Sequence, residues 1–240
     1  MKTGFIKTPL CAISVMLSML FSASFVLGQD IEILLKKAKS GDITSQADIG
    51  EYYYKNKRYT EARVWFEKAA TQGNPKAQNG LGLMYTYKRG GLPANHSKAI
   101  EYYTRAAKQN YTEAKYNLGY LYEHTANKKL RNFSKAREWY QRAIDDGYPQ
   151  AMFAMGKLYA RGRSVEVNVF KATDWYEKAA QYNHADAQYE LGYNYYNGIG
   201  ADKDKEKGTE YFARACDNGY KDACKIYADI KKIHPENILR

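Results

Sequence analysis

A short pattern recurs five times along the chain, and this repetition limits the fold more than any other feature of the sequence. In each copy a glycine follows a bulky apolar residue and precedes a tyrosine by three positions. The copies are SQADIGEYY, AQNGLGLMY, AKYNLGYLY, AMFAMGKLY and AQYELGYNY, with glycines at Gly50, Gly82, Gly119, Gly156 and Gly192. A second string follows each copy: EARVWFEKAA, KAIEYYTRAA, KAREWYQRAI, KATDWYEKAA and KGTEYFARAC. Apolar and small residues recur in both strings at helical spacing, so each copy predicts a pair of helices.

The second helix of each pair is predicted to end at a residue that tolerates a left-handed conformation. Three positions beyond each second string, the sequence has only glycine or asparagine: Gly73, Asn110, Gly147, Asn183 and Gly219. These two residue types best accept the positive φ of a helix C-cap. Their exchange for one another, and for nothing else, indicates a repeated backbone geometry.

The connections between helices differ in how much their length varies. The small residue near the start of each second helix lies 20 residues before the next glycine position, and these residues are Ala62, Ala99, Ala136, Ala172 and Gly208. All variation falls between the tyrosine and the second helix, where the gap is 9 residues in the first repeat and 13 or 14 in the others. Rigid stacking on one side and tolerant loops on the other are typical of a helical solenoid.

This pattern resembles the Sel-one-like repeat family, whose unit runs A-x-x-x-L-G-x-x-Y, a loop with Gly-x-Gly, then K-A-x-x-W-Y-x-K-A-A-x-x-G. The fifth repeat matches through its loop with Gly198 and Gly200, whereas the fourth keeps only Gly162. The related tetratricopeptide family needs a longer connection from the second helix into the next repeat. The resemblance covers about residues 45–230. It implies an all-α fold, a right-handed superhelical solenoid of antiparallel helix pairs.

Half-repeats extend the pattern at both ends. IEILLKKAKSG aligns with a second helix, and ACKIYADIKKIH, stopped by Pro235, aligns with a first helix. Such caps cover apolar faces that a solenoid otherwise exposes. We therefore expect an N-terminal capping helix in 29–44, five repeats in 45–222, and a C-terminal capping helix with a tail in 223–240.

Residues 1–28 are of a different kind. Lys2 and Lys7 precede an uncharged stretch from Thr8 to Leu27, which ends next to Gly28. A basic start, an apolar run and a permissive exit are typical of a secretory signal peptide. A retained membrane anchor is the alternative, because the run approaches the length that spans a bilayer. We expect cleavage, a periplasmic or secreted mature chain, and no stable membrane insertion after cleavage.

The charge balance favours anionic partners. Lys and Arg number 37 against 26 Asp and Glu, and loss of Lys2 and Lys7 with the signal would leave 35 against 26. Acidic proteins, lipid head groups and acidic cell-wall polymers are attracted by such an excess. Export argues against nucleic acid as a partner.

Most repeated positions are predicted to form the core, because they recur at helical spacing. The small residues that allow close helix approach are Ala69, Ala106, Ala143, Ala179 and Ala215. The aromatic residues expected where helices pack are Trp65, Trp139 and Trp175, and Phe66, Tyr103, Tyr140, Tyr176 and Phe212.

The sequence predicts no catalytic residue, no metal site and no cofactor. The histidines lie far apart at no metal-ligand spacing: His96, His124, His184 and His234. A cysteine-rich bacterial branch of the family is described as penicillin-binding or weakly β-lactamase-like, and serine enzymes of that kind need Ser-x-x-Lys. No serine after residue 28 has a lysine three positions on. We therefore expect that the chain is not an enzyme.

The two cysteines beyond the signal are expected to form a disulfide. Cys216 is in the last second helix and Cys224 begins the following helix, at positions that adjacent antiparallel helices would bring together. Their separation of eight residues is similar to that in the cysteine-rich branch. An exported chain also meets an oxidising compartment.

The first helices of the pairs line the concave side of this type of solenoid, so their residues outside the core are the predicted partner-binding surface. They are Tyr87, Tyr116, Tyr120, Phe153, Lys157, Arg161, Tyr189, Tyr193 and Tyr196, with Tyr54 in the first repeat. Tyrosine offers a large contact area with a polar tip, which suits it to interfaces. The alternative is that these rings pack between neighbouring repeats.

The resemblance implies an exported scaffold or adaptor that binds a protein or extended peptide in a tyrosine-rich groove, in envelope signalling or host interaction. The charge excess and tyrosine content favour an alternative, a protein that binds cell-wall glycan or another anionic polymer. A weak β-lactamase-like hydrolase is the second alternative.

Overall fold

The computed structural model describes residues 30–233, and this part of the chain is helical throughout, with short connections. It separates into two compact units that divide after Pro93. The helices of the first unit are α1 (30–39), α2 (Ile43–Lys55), α3 (Tyr59–Thr71) and α4 (Pro75–Thr86). Those of the second are α5 (His96–Ala107), α6 (Thr112–His124), α7 (Phe133–Asp145), α8 (Pro149–Arg161), α9 (Val169–Ala180), α10 (Ala185–Asn197), α11 (Lys205–Asp217) and α12 (Lys221–Ile233). The all-α prediction is confirmed, and the predicted signal peptide lies outside the described residues.

Four of the five repeated glycines lie against an aromatic ring of the next helix: Gly50, Gly119, Gly156 and Gly192. In the first unit, a Cβ added to Gly50 of α2 would lie 2.6 Å from the Phe66 ring. Gly80 of α4, two positions before the repeated Gly82, also faces this ring, and a Cβ added to it would lie 2.6 Å from the other side of Phe66. Real carbon atoms do not approach so closely, so Phe66 of α3 fits between its neighbours only because both positions lack a side chain.

The second unit uses the same arrangement three times. The glycine of each first helix faces the buried ring of the next helix, and a Cβ would lie 2.5–2.6 Å from that ring. The pairs are Gly119 with Tyr140, Gly156 with Tyr176, and Gly192 with Phe212. These rings are almost fully buried, as are the repeated alanines beside them, which confirms the predicted core at these positions.

The predicted left-handed ends of the second helices are confirmed. The φ angles are positive at Gly73 (87°), Asn110 (59°), Gly147 (80°), Asn183 (58°) and Gly219 (89°). Backbone groups just beyond the helix return to carbonyls of its last turn, as where the N–H of Asn74 donates to the Ala69 carbonyl at 3.0 Å. This hydrogen bonding satisfies groups that a helix end leaves unpaired and turns the chain into the next helix.

The variable loops of the second unit all end in the same way. Each of α5, α7, α9 and α11 begins after an asparagine or aspartate whose side-chain oxygen accepts a hydrogen bond from the backbone three residues on. These N-caps are Asn95, Asn132, Asn168 and Asp204. A side chain that restarts the helix locally makes its register independent of loop length, which explains why the loops can vary.

The prediction for the three tryptophans is only partly right. Trp65, Trp139 and Trp175 are half-buried rather than enclosed by helices. A cation one turn later covers the outer face of each ring, with Lys68 Nζ 4.6 Å, Arg142 Cζ 4.2 Å and Lys178 Nζ 4.0 Å from the ring centroids. The tryptophans thus pack inward on one side and bind a cation on the other.

Gly208 stands where the other repeats have alanine, and the structure gives the reason. A Cβ at this position would lie 2.7 Å from the backbone nitrogen of Tyr196 and 2.9 Å from the carbonyl oxygen of Gly192. Both atoms belong to α10, so α11 approaches the backbone of α10 as closely as only glycine permits.

The predicted disulfide is confirmed. Cys216 of α11 is bonded to Cys224 of α12 across the turn that joins these helices. The bond ties the last full helix pair to the helix that covers it, whose buried residues include Ala223 and Ile230.

Candidate partner-binding site

Three of the predicted binding residues join successive repeats of the second unit through ring contacts. The ring of Tyr116 lies 5.4 Å from that of Tyr148, Phe153 lies 4.9 Å from His184, and Tyr189 lies 4.5 Å from Tyr220. The second ring of each pair stands at the start of the next first helix. Each first ring also lies within 6 Å of a buried ring, Tyr140, Tyr176 or Phe212. On the sides that face the core, Tyr116, Phe153 and Tyr189 therefore pack between neighbouring repeats, as the alternative interpretation of these rings expected.

Between α6 and α8 these rings leave an opening with a volume of about 290 Å³, which we name the aromatic pocket. Its lining residues are Tyr116, Tyr120, Glu123, His124, Tyr140, Gln150, Phe153, Ala154, Lys157, His184 and Asp186. Four of the nine predicted binding residues thus come together in one place: Tyr116, Tyr120, Phe153 and Lys157.

Two stacked ring pairs form walls of the aromatic pocket. On α6, the His124 ring stacks on Tyr120 with centroids 4.2 Å apart and planes 18° from parallel. His184, which precedes α10, stacks on Phe153 of α8 with planes 28° from parallel. His124 Nδ1 also lies 3.0 Å from the Tyr120 carbonyl oxygen, to which it donates. Rings fixed by neighbours lose little entropy when a ligand packs on them, so these walls are preorganised.

The floor of the aromatic pocket contains a buried carboxylate. The Glu123 side chain is only 2% exposed. One of its oxygens accepts a hydrogen bond from the Tyr140 hydroxyl at 2.8 Å, and the other accepts one from Arg163 Nη1 at 2.8 Å. Burial and the adjacent carboxylate raise the pKa of Tyr140 well above its ordinary value, so this hydroxyl stays protonated and donates. The charge of Glu123 is therefore compensated inside the protein.

His184 has a second role as the N-cap of α10. Its Nδ1 accepts a hydrogen bond from the backbone nitrogen of Ala187 at 3.3 Å. Only an unprotonated Nδ1 can accept, so the cap needs a neutral ring. Burial of the ring lowers the pKa of His184, and nearby Asp186 opposes that change. The folded protein thus favours neutral His184.

This preference predicts a pH dependence of stability that His184 carries. Because its folded pKa lies below the unfolded value of about 6.5, the unfolded chain binds more protons as the pH falls through that region. We expect the free energy of unfolding of the wild type to fall from about pH 7.5 to about pH 5.5 more than that of His184→Asn. Protonation of Nδ1 breaks the cap, and loss of the cap would account for about 1 kcal/mol of this fall in the free energy of unfolding. Urea unfolding at the two pH values measures the difference.

The His184→Asn variant is a matched control because asparagine caps α4 in the same way, with Asn74 accepting from the backbone of Ala77 at 3.0 Å. Every other titrating group is common to both proteins, and so cancels in the comparison. Equal losses of stability in the two proteins would contradict the assignment.

The remaining predicted residues of the second unit lie outside the aromatic pocket. Arg161 is exposed at the end of α8, and with Lys157 it acts on Glu190 of α10, whose pKa is raised by burial. Tyr193 is 48% exposed. Tyr196 packs toward Phe212, with centroids 6.4 Å apart.

In the first unit, Tyr54 and Tyr87 surround Arg89 together with Tyr59. The Arg89 guanidinium carbon lies 5.0 Å from the Tyr54 centroid, 4.7 Å from Tyr59 and 5.1 Å from Tyr87. Arg89 also donates a hydrogen bond to the Tyr54 hydroxyl. The ring faces that Tyr54 and Tyr87 turn toward Arg89 are therefore covered by its guanidinium group.

The sequence interpretation missed most polar residues of the aromatic pocket. Glu123 stands four positions after the repeat glycine, where the other repeats have Tyr54, Thr86, Ala160 and Tyr196. A single acidic residue at that position was a usable signal. His184 occupies the helix-start position of Asn74, Tyr111 and Tyr148, of which only Asn74 caps its helix through a side chain, so the repeat alone did not indicate its capping role. Arg163 lies in a variable loop, where no repeat register could have indicated its partner.

Two other properties complete the description of residues 30–233. Within that range, no helix is both long and apolar enough to cross a membrane. The same residues contain no group of three or more His, Cys, Asp or Glu side chains placed to hold a metal ion.

Solved structures of similar proteins share this fold. One is a Sel1 repeat protein from Oxalobacter formigenes, with 28% identity, a TM-score of 0.69, and coverage of 83% of this chain and 80% of that one. Another is c5321, a protective antigen present in uropathogenic Escherichia coli strains and displaying an SLR fold, with 27% identity, a TM-score of 0.68 and coverage of 84% of this chain. The match spans 44% of the length of c5321. A Sel1 repeat protein from Klebsiella pneumoniae, 19% identical with a TM-score of 0.59, shares the fold, with coverage of 84% and 99%.

No curated protein matches the chain. The Sel1 repeat family model, by contrast, matches five consecutive segments: 44–74, 75–111, 112–148, 149–184 and 185–220. Proteins built from Sel1 repeats generally mediate protein–protein interaction and are typically non-catalytic scaffolds. The matched segments make up well over half of the sequence, and the helix pairs, glycine contacts and left-handed caps follow the same register. The chain belongs to the Sel1 repeat family.

Proposed function

We propose that this protein is an exported scaffold that binds a segment of a partner protein along the first helices of its second unit. The observation that carries the proposal is the aromatic pocket, an opening with preorganised ring walls between α6 and α8. Tyr193 of α10 adds a half-exposed ring outside it. Partly exposed aromatic residues are enriched where proteins bind partners.

Export is supported by two features of the chain. Residues 1–28 have the composition of a secretory signal, and Cys216 and Cys224 are bonded. Disulfides persist in the periplasm and outside the cell, where no thiol pool reduces them. A periplasmic or secreted location would expose the scaffold to envelope or host proteins, and envelope signalling or host interaction is the setting we propose.

The test is reconstitution with an identified partner. The purified protein would be crosslinked in envelope extract, each captured protein purified separately, and its affinity measured by calorimetry. We expect the Tyr120→Ala/Tyr193→Ala variant to bind at least about tenfold more weakly than the wild type, a loss of about 1.4 kcal/mol. Its circular dichroism should remain that of the wild type.

Tyr182→Ala is the matched control, because Tyr182 is exposed in the same unit but lies outside the aromatic pocket. This variant should bind like the wild type. Sedimentation with purified peptidoglycan, with no protein partner bound, would instead support the glycan-binding alternative. Unchanged partner affinity in the double variant would refute the proposed surface, and loss of helicity would assign the two rings to packing.

A further inference from the structure

The aromatic pocket has room for a single large side chain. Sites that enclose a whole small-molecule ligand usually have volumes of about 300–1,000 Å³. The aromatic pocket, at about 290 Å³, lies at the lower limit of this range. A partner segment that crosses α6 and α8 can therefore place one residue in it, while the rest of the segment stays on the surface.

The shape of the aromatic pocket favours a flat occupant. Tyr120 with His124 and Phe153 with His184 are stacked pairs, and the Tyr116 ring lies 5.8 Å from Tyr140. Aromatic rings prefer offset-stacked or edge-to-face contacts with other rings, and such pairs contribute beyond the area they bury. A wall built from several rings offers both contacts to an incoming ring.

The charges around the aromatic pocket cancel, which disfavours a charged occupant. Glu123 is compensated by Arg163, as described above. The other charged residues of the lining are one cation, Lys157, and one carboxylate, Asp186. The neutral His184 ring adds no charge. A charged side chain entering here would lose its hydration without gaining a net opposite charge, and burial of a charge without a partner is costly.

We propose, building on the scaffold function above, that the aromatic pocket recognises one neutral aromatic side chain of the partner protein. Tyrosine, phenylalanine and tryptophan fit this description. Such a residue would act as the anchor of the interface, since buried aromatic residues in well-packed pockets carry much of the binding energy of protein complexes. Tyr193 and Arg161 would contact the flanking parts of the segment.

The experiment uses single-residue probes that isolate the side chain. N-acetyl-tyrosinamide and N-acetyl-tryptophanamide would be titrated into the isotope-labelled protein at millimolar concentrations, beside the alanine, lysine and glutamate analogues. We expect saturable amide shifts for the two aromatic probes only, located at residues that line the aromatic pocket on α6 and α8. The Phe153→Ala variant should bind the aromatic probes at least about tenfold more weakly, whereas Tyr182→Ala should bind them normally.

Equal or tighter binding of the lysine or glutamate probe would overturn the inference, as would aromatic shifts located elsewhere. The map of shifts in the wild type decides this even if Phe153→Ala fails to fold. The two proposals fail separately. If a partner requires Tyr193 but no probe binds, the scaffold function stands and the proposed aromatic anchor is refuted. If the aromatic probes bind but no partner protein is captured, the aromatic specificity of the pocket stands and the scaffold function is refuted.

Discussion

Replacing Glu123 with alanine is expected to lower the free energy of unfolding by about 3 kcal/mol. The substitution removes the acceptor of the buried Tyr140 hydroxyl and the charge partner of Arg163. An orphaned buried hydroxyl alone costs about 1–3 kcal/mol. Removal of one member of a fully buried ion pair costs about 3–5 kcal/mol. Arg163 is 32% exposed, so water screens part of the second cost and the total stays near the lower end of that range.

Chemical unfolding of three variants checks this expectation. Glu138 of α7 is exposed, so Glu138→Ala is the matched control and should change stability by no more than about 0.5 kcal/mol. Glu123→Gln keeps an acceptor but loses the charge, so its free energy of unfolding should lie between those of Glu123→Ala and Glu138→Ala. Removal of Glu123 and Arg163 together should cost less than the sum of the single losses, because the two residues interact. A Glu123→Ala protein as stable as Glu138→Ala would show that the buried carboxylate contributes nothing.

Loss of the disulfide should lower the free energy of unfolding by about 2–3 kcal/mol. Cys216 and Cys224 are eight positions apart, and closing a loop of that size in the unfolded chain removes conformational entropy by this amount in the loop-entropy model. We expect the Cys216→Ser/Cys224→Ser variant to have a lower thermal midpoint. Amide exchange should rise most in α12, which the bond connects to α11.

Reductant provides the control for this second prediction. Dithiothreitol should lower the midpoint of the wild type toward that of the double variant and leave the variant unchanged. Two titratable thiols in the untreated protein, or a wild type insensitive to reduction, would contradict the assignment.

The fold could be predicted from the sequence because each repeat restates the same local requirement. Only glycine or asparagine occupies the left-handed position after each second helix, and only glycine fits beneath rings such as Tyr140 and Tyr176. A requirement repeated five times is visible without any knowledge of distant contacts. The disulfide followed from the same register, since Cys216 and Cys224 stand at positions that neighbouring helices share.

The candidate site was harder to predict because its main polar contact joins a repeat position to a residue outside the repeat register. Glu123 and Arg163 are 40 positions apart, and Arg163 comes from a loop of variable length. The cation over Trp139, Arg142, does recur in the repeat one turn after each tryptophan, and it was a usable sign that these rings are only half-buried. Gly208 departs from the alanine of its equivalents because of the local distance between α10 and α11, which cannot be derived from a consensus pattern.

The ring pairs at the starts of the first helices also determine how the second unit resists unfolding. Tyr116 with Tyr148, Phe153 with His184, and Tyr189 with Tyr220 each join one helix pair to the next. If one helix pair unfolds alone, the ring contacts with both neighbouring pairs are lost. The only gain is the conformational entropy of that one pair. In a one-dimensional array, strong coupling of this kind makes nearest neighbours change state together. We therefore expect the second unit to unfold as a cooperative block, in which a ligand held by one pair also suppresses fluctuations of the pairs beside it.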